Sequence, residues 1–346
     1  MATVAFDQWR REAINSEVQA VNCRAAAALF DFSFMSVLRI SGRDAASLIS
    51  QYVNRDLSRM PLGSIRYCLH SDSVGNVLSD LTVWRVNETT FDVMSGEIRD
   101  VRNLMKQSSS NATAQDLTDQ TAIFSVQGPM SLATMMPICQ DRILAELGYF
   151  KFGDLEIHGV PARVGRLGYT GERGFEIVVD TAHAKSLWTA LCGHINVASF
   201  AVADILRIEA GFSLFCNEFE VGVTAKELSM DRFVDGPDNQ ALGLKSLVCF
   251  SATAKEKPIL WQRPQSGVSI PGPGELLATS ACFSPLTESV LGLGYVARQE
   301  EHLAPALIDP LGQFEDIKLR QRPYFDPKKQ IVLGGWDDNF EPAPRI

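Results

Sequence analysis

Residues 166–181, RLGYTGERGFEIVVDT, open on glycine-flanked turns and close on an apolar strand that carries one acid, Glu176, between Phe175 and Ile177. Alternation along FEIVV puts Phe175, Ile177 and Val179 on one face and Glu176 with Val178 on the other. Spacing alone leaves two readings of the acid open: a charge on a wet sheet face, or a carboxylate kept for a ligand. Tyr169, upstream on an adjoining strand, would supply an aromatic wall beside it. A carboxylate there can accept two N–H groups from a flat, amino-bearing heterocycle, in the bidentate manner of carboxylate–guanidinium pairs.

Outward from this stretch, one order of elements occurs twice. SVLRISG (36–42) reads as a strand, 42–57 as a helix, 64–96 as an antiparallel meander and the run from Ile98 as a short helix. TAIFSVQG, a helix after Gly128 and Pro129, a second meander through DLEIHGVPARVG and the helix AHAKSLWTALCGHI repeat that order. Residues 5–30 carry helical spacing that ends at AAAALFDF, and 108–120 are polar and loop-like. Past about residue 245, short strands broken by Gly and Pro indicate a small all-β unit. The tail after Pro327 reads as an ordered extension or a partner-binding segment. The expectation is an α+β chain of three domains: an α+β half over 1–115, a second over 116–245, and a β domain plus tail over 246–346.

Two further segments carry candidate chemistry. In GNVLSDLTVWRV, Asp80 lies inside a strand, where an aspartate is disfavoured by up to about 1 kcal/mol. It reads either as a solvating edge charge or as a functional carboxylate set beside Tyr67 on the preceding strand and Trp84, which shares its face. In VADILRIEAGFSLF, apolar spacing gives a helix stopped by Gly211, with Arg207 as a surface charge or a clamp for an anionic ligand tail.

Composition bounds the class. Of 346 residues, 46% are hydrophobic and 21% charged, which is ordinary for a globular protein able to bury a real core. A net charge of -9 argues against nucleic acid or an anionic membrane as the main partner. Seven scattered cysteines without a C-x-x-C pair, and five isolated histidines, suggest free thiols in a reducing cytoplasm and no metal site.

Taken together, GYTGERGFEIVV, LRIEAGFSLF, GNVLSDLTVWRV, FDFSFMSVLRISGRDA and SVQGP resemble the tetrahydrofolate-binding aminomethyltransferase family, which includes the T-protein of the glycine cleavage system. ATSACFSPLTESVLGLGYV and YFDP (324–327) are similar to its C-terminal segments, so the resemblance spans roughly residues 20–327. It implies a three-domain fold around a central channel that holds tetrahydrofolate, with a small β-barrel-like C-terminal domain. By position, Glu176 would bind the amino-pyrimidine edge of the pterin, and Tyr169 and Tyr67 would pack on the folate. Trp84 stands where the family often has tyrosine. Arg207 would hold the carboxylate of the glutamate tail, and Asp80 would be the catalytic acid facing the reactive nitrogens.

The chain departs from the family on the donor side. Its N-terminal segment is shortened, Ser79 replaces a second aspartate before Asp80, and CNEFEVGVTAKEL replaces a glycine-aspartate segment. These departures point to a stand-alone transferase or demethylase taking a one-carbon unit from a small methylated N-, S- or O-donor to N5 of tetrahydrofolate. The alternative is a T-protein proper, using an aminomethyl donor on a lipoylated carrier. A second alternative is a non-catalytic folate binder, whose KGCY-type motif this chain lacks.

Overall fold

A computed structural model describes residues 15–107, 109–139, 142–235, 243–264, 270–298, 307–320 and 322–336. Within the first half these form α1 (Ser16–Ala25), β1 (Ala28–Asp31), β2 (Ser36–Gly42), α2 (Ala45–Val53), β3 (Ile65–Ser71), β4 (Val77–Arg85), β5 (Thr90–Ser95), α3 (Ile98–Lys106) and β6 (Ala112–Asp116). The second half carries β7 (Thr121–Gln127), α4 (Ser131–Cys139), α5 (Ile143–Glu146), β8 (Phe152–Ile157), β9 (Val160–Gly165) and β10 (Gly174–Asp180). It continues through α6 (Thr181–Cys192), β11 (Asn196–Val197) and α7 (Phe200–Glu209). Strands β12 (Lys245–Ala254), β13 (Leu260–Gln262), β14 (Leu277–Ser284), β15 (Ser289–Ala297) and β16 (Phe314–Arg320) precede a last short helix, α8 (Gln330–Leu333).

Three sheets result, ordered β3-β4-β5-β2-β6, β8-β9-β10-β7-β1-β11 and β13-β14-β15-β12-β16. The repeat read from the sequence is built: β3-β4-β5-β2 and β8-β9-β10-β7 follow one antiparallel order. Glycines mark the same corner of each. Gly42 ends β2 at φ 130 and Gly128 follows β7 at φ 135, a region L-residues avoid. A Cβ would stand 2.1 Å from the Asn111 carbonyl oxygen at the first and 2.4 Å from that of Ala26 at the second.

Three sequence expectations change. ALFD of AAAALFDF is strand β1, not a helix end, and it pairs with β7 in the second sheet. Its continuous apolar run fits a buried strand as well as a helix, and pairing decides. The polar connection before residue 120 holds edge strand β6, hydrogen-bonded to β2; its exposed, polar composition hides it. The C-terminal sheet is open among the described residues, not closed into a barrel.

Burial follows the alternation. Phe175, Ile177 and Val179 pack with residues of α4 and α6, including Met135 and Leu187, while Val178 faces a second core shared with Trp84, Phe30 and Ile205. That second core lies between elements of both repeated sheets and α7. All ten residues of α7 are buried, so its charges need internal partners. Arg24 of α1 bonds Glu209 at 2.9 Å and Glu172 at 3.0 Å, and Ser284 of β14 donates to Glu209 at 2.6 Å. These bonds tie α1, α7 and the C-terminal sheet together. Gly211, at φ 70, ends α7, and the Phe212 N–H reaches back to the Arg207 carbonyl at 2.8 Å.

Candidate active site

The loop 166–173 owes its path to Gln127, which is wholly buried. The Gln127 amide donates to Ser125 Oγ and the Leu167 carbonyl, both at 3.0 Å, and its oxygen accepts from Thr170 Oγ1 at 3.1 Å. A Cβ at Gly168 would lie 1.9 Å from Gln127 Oε1, and one at Gly174 would lie 2.5 Å from Nε2. The two glycines are therefore what lets the loop close over the amide. Tyr169 sits in this loop, not on the strand expected for it. Its hydroxyl donates to the Ser213 carbonyl at 2.6 Å, and its ring stacks on Phe212 at 6.1 Å.

On β10, Glu176 lies opposite Ser125 of β7 and Gly165 of β9. It is 7% exposed, and its carboxylate has no hydrogen bond or ion pair among the described residues. Burial alone pushes its pKa up to about 7. Cross-strand partners project from the same face, and a Cβ at Gly165 would stand 2.3 Å from Trp84 Cη2. The missing side chain thus lets the indole of one sheet lie against β9, the neighbour of the strand that carries Glu176 in the other.

Asp80, half-buried on β4, accepts a hydrogen bond from the Tyr67 hydroxyl at 3.0 Å. Its pKa is raised to about 6, chiefly by burial and partly by the nearby Asp100, while the Tyr67 bond opposes the rise. Tyr67 lies opposite Thr82, and Trp84 Nε1 donates to Thr82 Oγ1 at 3.0 Å. Asp80, Thr82 and Trp84 therefore line one face. Trp84 is completely buried and packs against Phe152 at 5.2 Å; its position is that of a wall. Burial and then the charges of Arg207 and Asp80 act on the Tyr169 hydroxyl, which places that ring near the acid end.

Arg207 is not the surface charge that one reading of its helix allowed. It is wholly buried, its Nε bonded to Asp204 at 2.6 Å and its Nη1 to Glu218 at 2.8 Å. Glu218 also accepts from the Leu214 N–H and the Thr279 hydroxyl, both within 2.8 Å. Two acids thus hold the guanidinium inside the protein, beside an all-buried helix, while its Nη2 is buried without a hydrogen-bond partner among the described residues. Tyr149, half-buried, lies within electrostatic reach of Glu176. Its pKa is pushed up to about 12, by burial first and then by the Glu176 charge, which sets it at the anchor end. Nothing in GYFKFG marks it, because its position depends on Phe150 turning through φ 59 before β8.

An open cleft of about 1010 Å³ runs beside the two repeated sheets, lined by Val37, Arg39, Asp92, Arg163 and Val178 among others. None of the six expected site residues lines it, but Val178 is next to Glu176 on the same strand face. Among the described residues no cluster of three His, Cys, Asp or Glu side chains could hold a metal, and no helix is long and apolar enough to cross a membrane. The arrangement offers aromatic walls, one unpaired carboxylate and one acid titrating near neutrality. That suits holding a planar polar heterocycle and moving a proton beside it.

A family model described as GCVT N-terminal domain matches residues 2–236. The aminomethyltransferase of Streptomyces avermitilis is 28% identical over 331 residues, covering 88% of this chain and 88% of that protein. That of Thermotoga petrophila is 27% identical over 331 residues, covering 90% and 89%. Among solved structures, the glycine cleavage system aminomethyltransferase T from Bartonella henselae superposes with a TM-score of 0.74 at 20% identity, covering 90% of each chain. At that identity the likeness is one of fold.

Proposed function

The chain belongs to the GCVT N-terminal domain family, and from that membership we propose that it is a tetrahydrofolate-dependent aminomethyltransferase, with Glu176 as pterin anchor and Asp80 as the catalytic acid. It is a transferase acting on one-carbon units, and tetrahydrofolate is the acceptor. The observation that carries the site assignment is Glu176: a buried carboxylate with no protein partner among the described residues is costly unless a ligand supplies the donors. A 2-amino-pyrimidine edge has two parallel N–H groups and fits that requirement. Trp84 and Tyr149 bound the same end, and Tyr67 and Tyr169 bound the end at Asp80.

When bound, tetrahydrofolate supplies N5 as the nucleophile that takes the one-carbon unit. The protein's main contribution is to hold the reactants in register, which removes the entropy cost of a two-body encounter. Asp80 faces the reacting nitrogens. With its pKa near 6 it is largely ionised at neutral pH and stabilises developing positive charge, yet it can carry a proton at small cost.

For the donor, relatives named aminomethyltransferase favour an aminomethyl group, presented as a small molecule or on a lipoyl arm, over a methylated small molecule. The demethylase reading keeps one support of its own: Ser79 stands where the family has an acid, and it is buried and bonded to Asp100 at 2.8 Å. Incubation with tetrahydrofolate and either an aminomethylated lipoyl carrier or a panel of methylated amines, sulfonium compounds and aryl ethers separates them. One-carbon folates formed with the carrier alone support the aminomethyltransferase; product from a methylated compound alone supports the demethylase. No folate binding at all ends both.

A further inference from the structure

Behind Asp80, on the other face of β4, lies a second acid. Asp100, in the first turn of α3, is 1% exposed. Its carboxylate accepts the Tyr52 hydroxyl at 2.7 Å, the Ser79 hydroxyl at 2.8 Å and the Ser95 hydroxyl at 2.5 Å. Ser79 immediately precedes Asp80, and Ser95 ends β5 directly opposite Leu81, which immediately follows it. Ser95 Oγ also lies 3.5 Å from the Asp80 carbonyl and accepts the Glu97 N–H at 3.0 Å. One buried carboxylate therefore holds Ser79, which precedes Asp80, and Ser95, which lies across from the residue that follows it, and through Tyr52 it adds α2 to the bracket.

We propose that Asp100 is a positioning residue for Asp80: its hydroxyl bracket fixes the strand from which Asp80 projects and holds a second acid directly behind that strand. The inference rests on the assignment of Asp80 as the acid of the transfer. Two physical facts support it. A carboxylate accepting three hydroxyls is fully oriented and pins its donors. A like charge at close range favours the protonated form of its neighbour, and Asp100 acts on Asp80 in that sense. The other titratable groups facing Asp80 are Tyr67 from β3, which opposes the rise through its hydrogen bond, and Tyr169 from the loop 166–173.

The test titrates the full chain labelled with carbon-13 aspartate, the Asp80 resonance being assigned by its loss in Asp80→Asn. In Asp100→Asn the Asp80 midpoint is expected to fall by on the order of one pH unit, with the acid limb of the turnover profile moving with it. An unmoved midpoint in folded Asp100→Asn overturns the electrostatic role. Ser79→Ala keeps the charge and removes one arm of the bracket; turnover is expected to drop at least tenfold at unchanged KM for tetrahydrofolate, and unchanged turnover overturns the positioning role. Should Asp100→Asn not fold, Ser79→Ala decides the positioning role, on which the proposal then stands or falls. If the wild-type chain binds no tetrahydrofolate, the transferase reading fails by itself, and the carboxyl titration still reports on Asp80 and Asp100.

Discussion

Asp92 and Glu176 occupy equivalent places in the two repeated sheets, and of the two only Glu176 has no cation beside it among the described residues. Asp92 lies between Arg39 and Trp84 in its sheet, as Glu176 lies between Ser125 and Gly165. Arg39 bonds Asp92 at 2.7 Å, and Arg163 reaches it from the other sheet at 2.9 Å. The counterpart of Arg39 beside Glu176 is Ser125, so one acid closes the contact between the halves and the other stays open.

That openness sets a pH dependence. The raised pKa of Glu176 means that the folded protein binds a proton more tightly there than the unfolded chain does. Its ionisation therefore costs stability as pH rises from about 4.5 to about 7, by at most about 3 kcal/mol. Glu176→Gln is expected to raise the Tm of the ligand-free protein at pH 8 and to weaken tetrahydrofolate binding by at least tenfold. In the wild type, affinity should fall as pH drops below about 7, read by calorimetric titration at several pH values. An affinity flat from pH 8 to pH 5.5 would remove the ionised anchor from the account.

Asp80→Asn is expected to keep folate affinity within a few-fold and to lower turnover by about 10²-fold. Tyr67→Phe removes the bond that holds the Asp80 pKa down, so the acid limb of the rate profile should move above its wild-type position near 6. A limb that stays in place in Tyr67→Phe would show that another group titrates.

Gly165→Ala should destabilise by about 1–3 kcal/mol, because the new methyl would stand 2.3 Å from Trp84 Cη2. Combining it with Trp84→Tyr, a smaller ring, should recover part of the loss, giving a coupling of at least about 1 kcal/mol in denaturant unfolding. Additive losses would mean that the two side chains do not share the space.

Arg207→Met leaves Asp204 and Glu218 buried without their cation and should cost about 3–5 kcal/mol in unfolding free energy. At a temperature where the variant is folded, its preference between folates with one and several glutamates should match the wild type. A selective loss for the longer tails would return Arg207 to the ligand.

Legibility divides along physical lines. Period-2 alternation was enough to place Phe175, Ile177 and Val179 toward a core and to isolate Glu176, because each strand residue has only two directions to face. It also paired Asp80 with Tyr67 and Trp84, and the repeat of strand, helix, meander and helix was visible without any contact. Three things needed the tertiary structure. The second acid on Arg207, Glu218, lies beyond the helix end and meets it only after Gly211 turns the chain, so helix spacing shows Asp204 but not Glu218. Tyr149 comes within electrostatic reach of Glu176 through a left-handed Phe150 that no pattern announces. And whether Glu176 was paired depended on residues 125 and 165, which come to its sides only when the sheet forms. Sequence determined that an acid would leave the core face of this strand; the fold decided that nothing in the described protein would neutralise it.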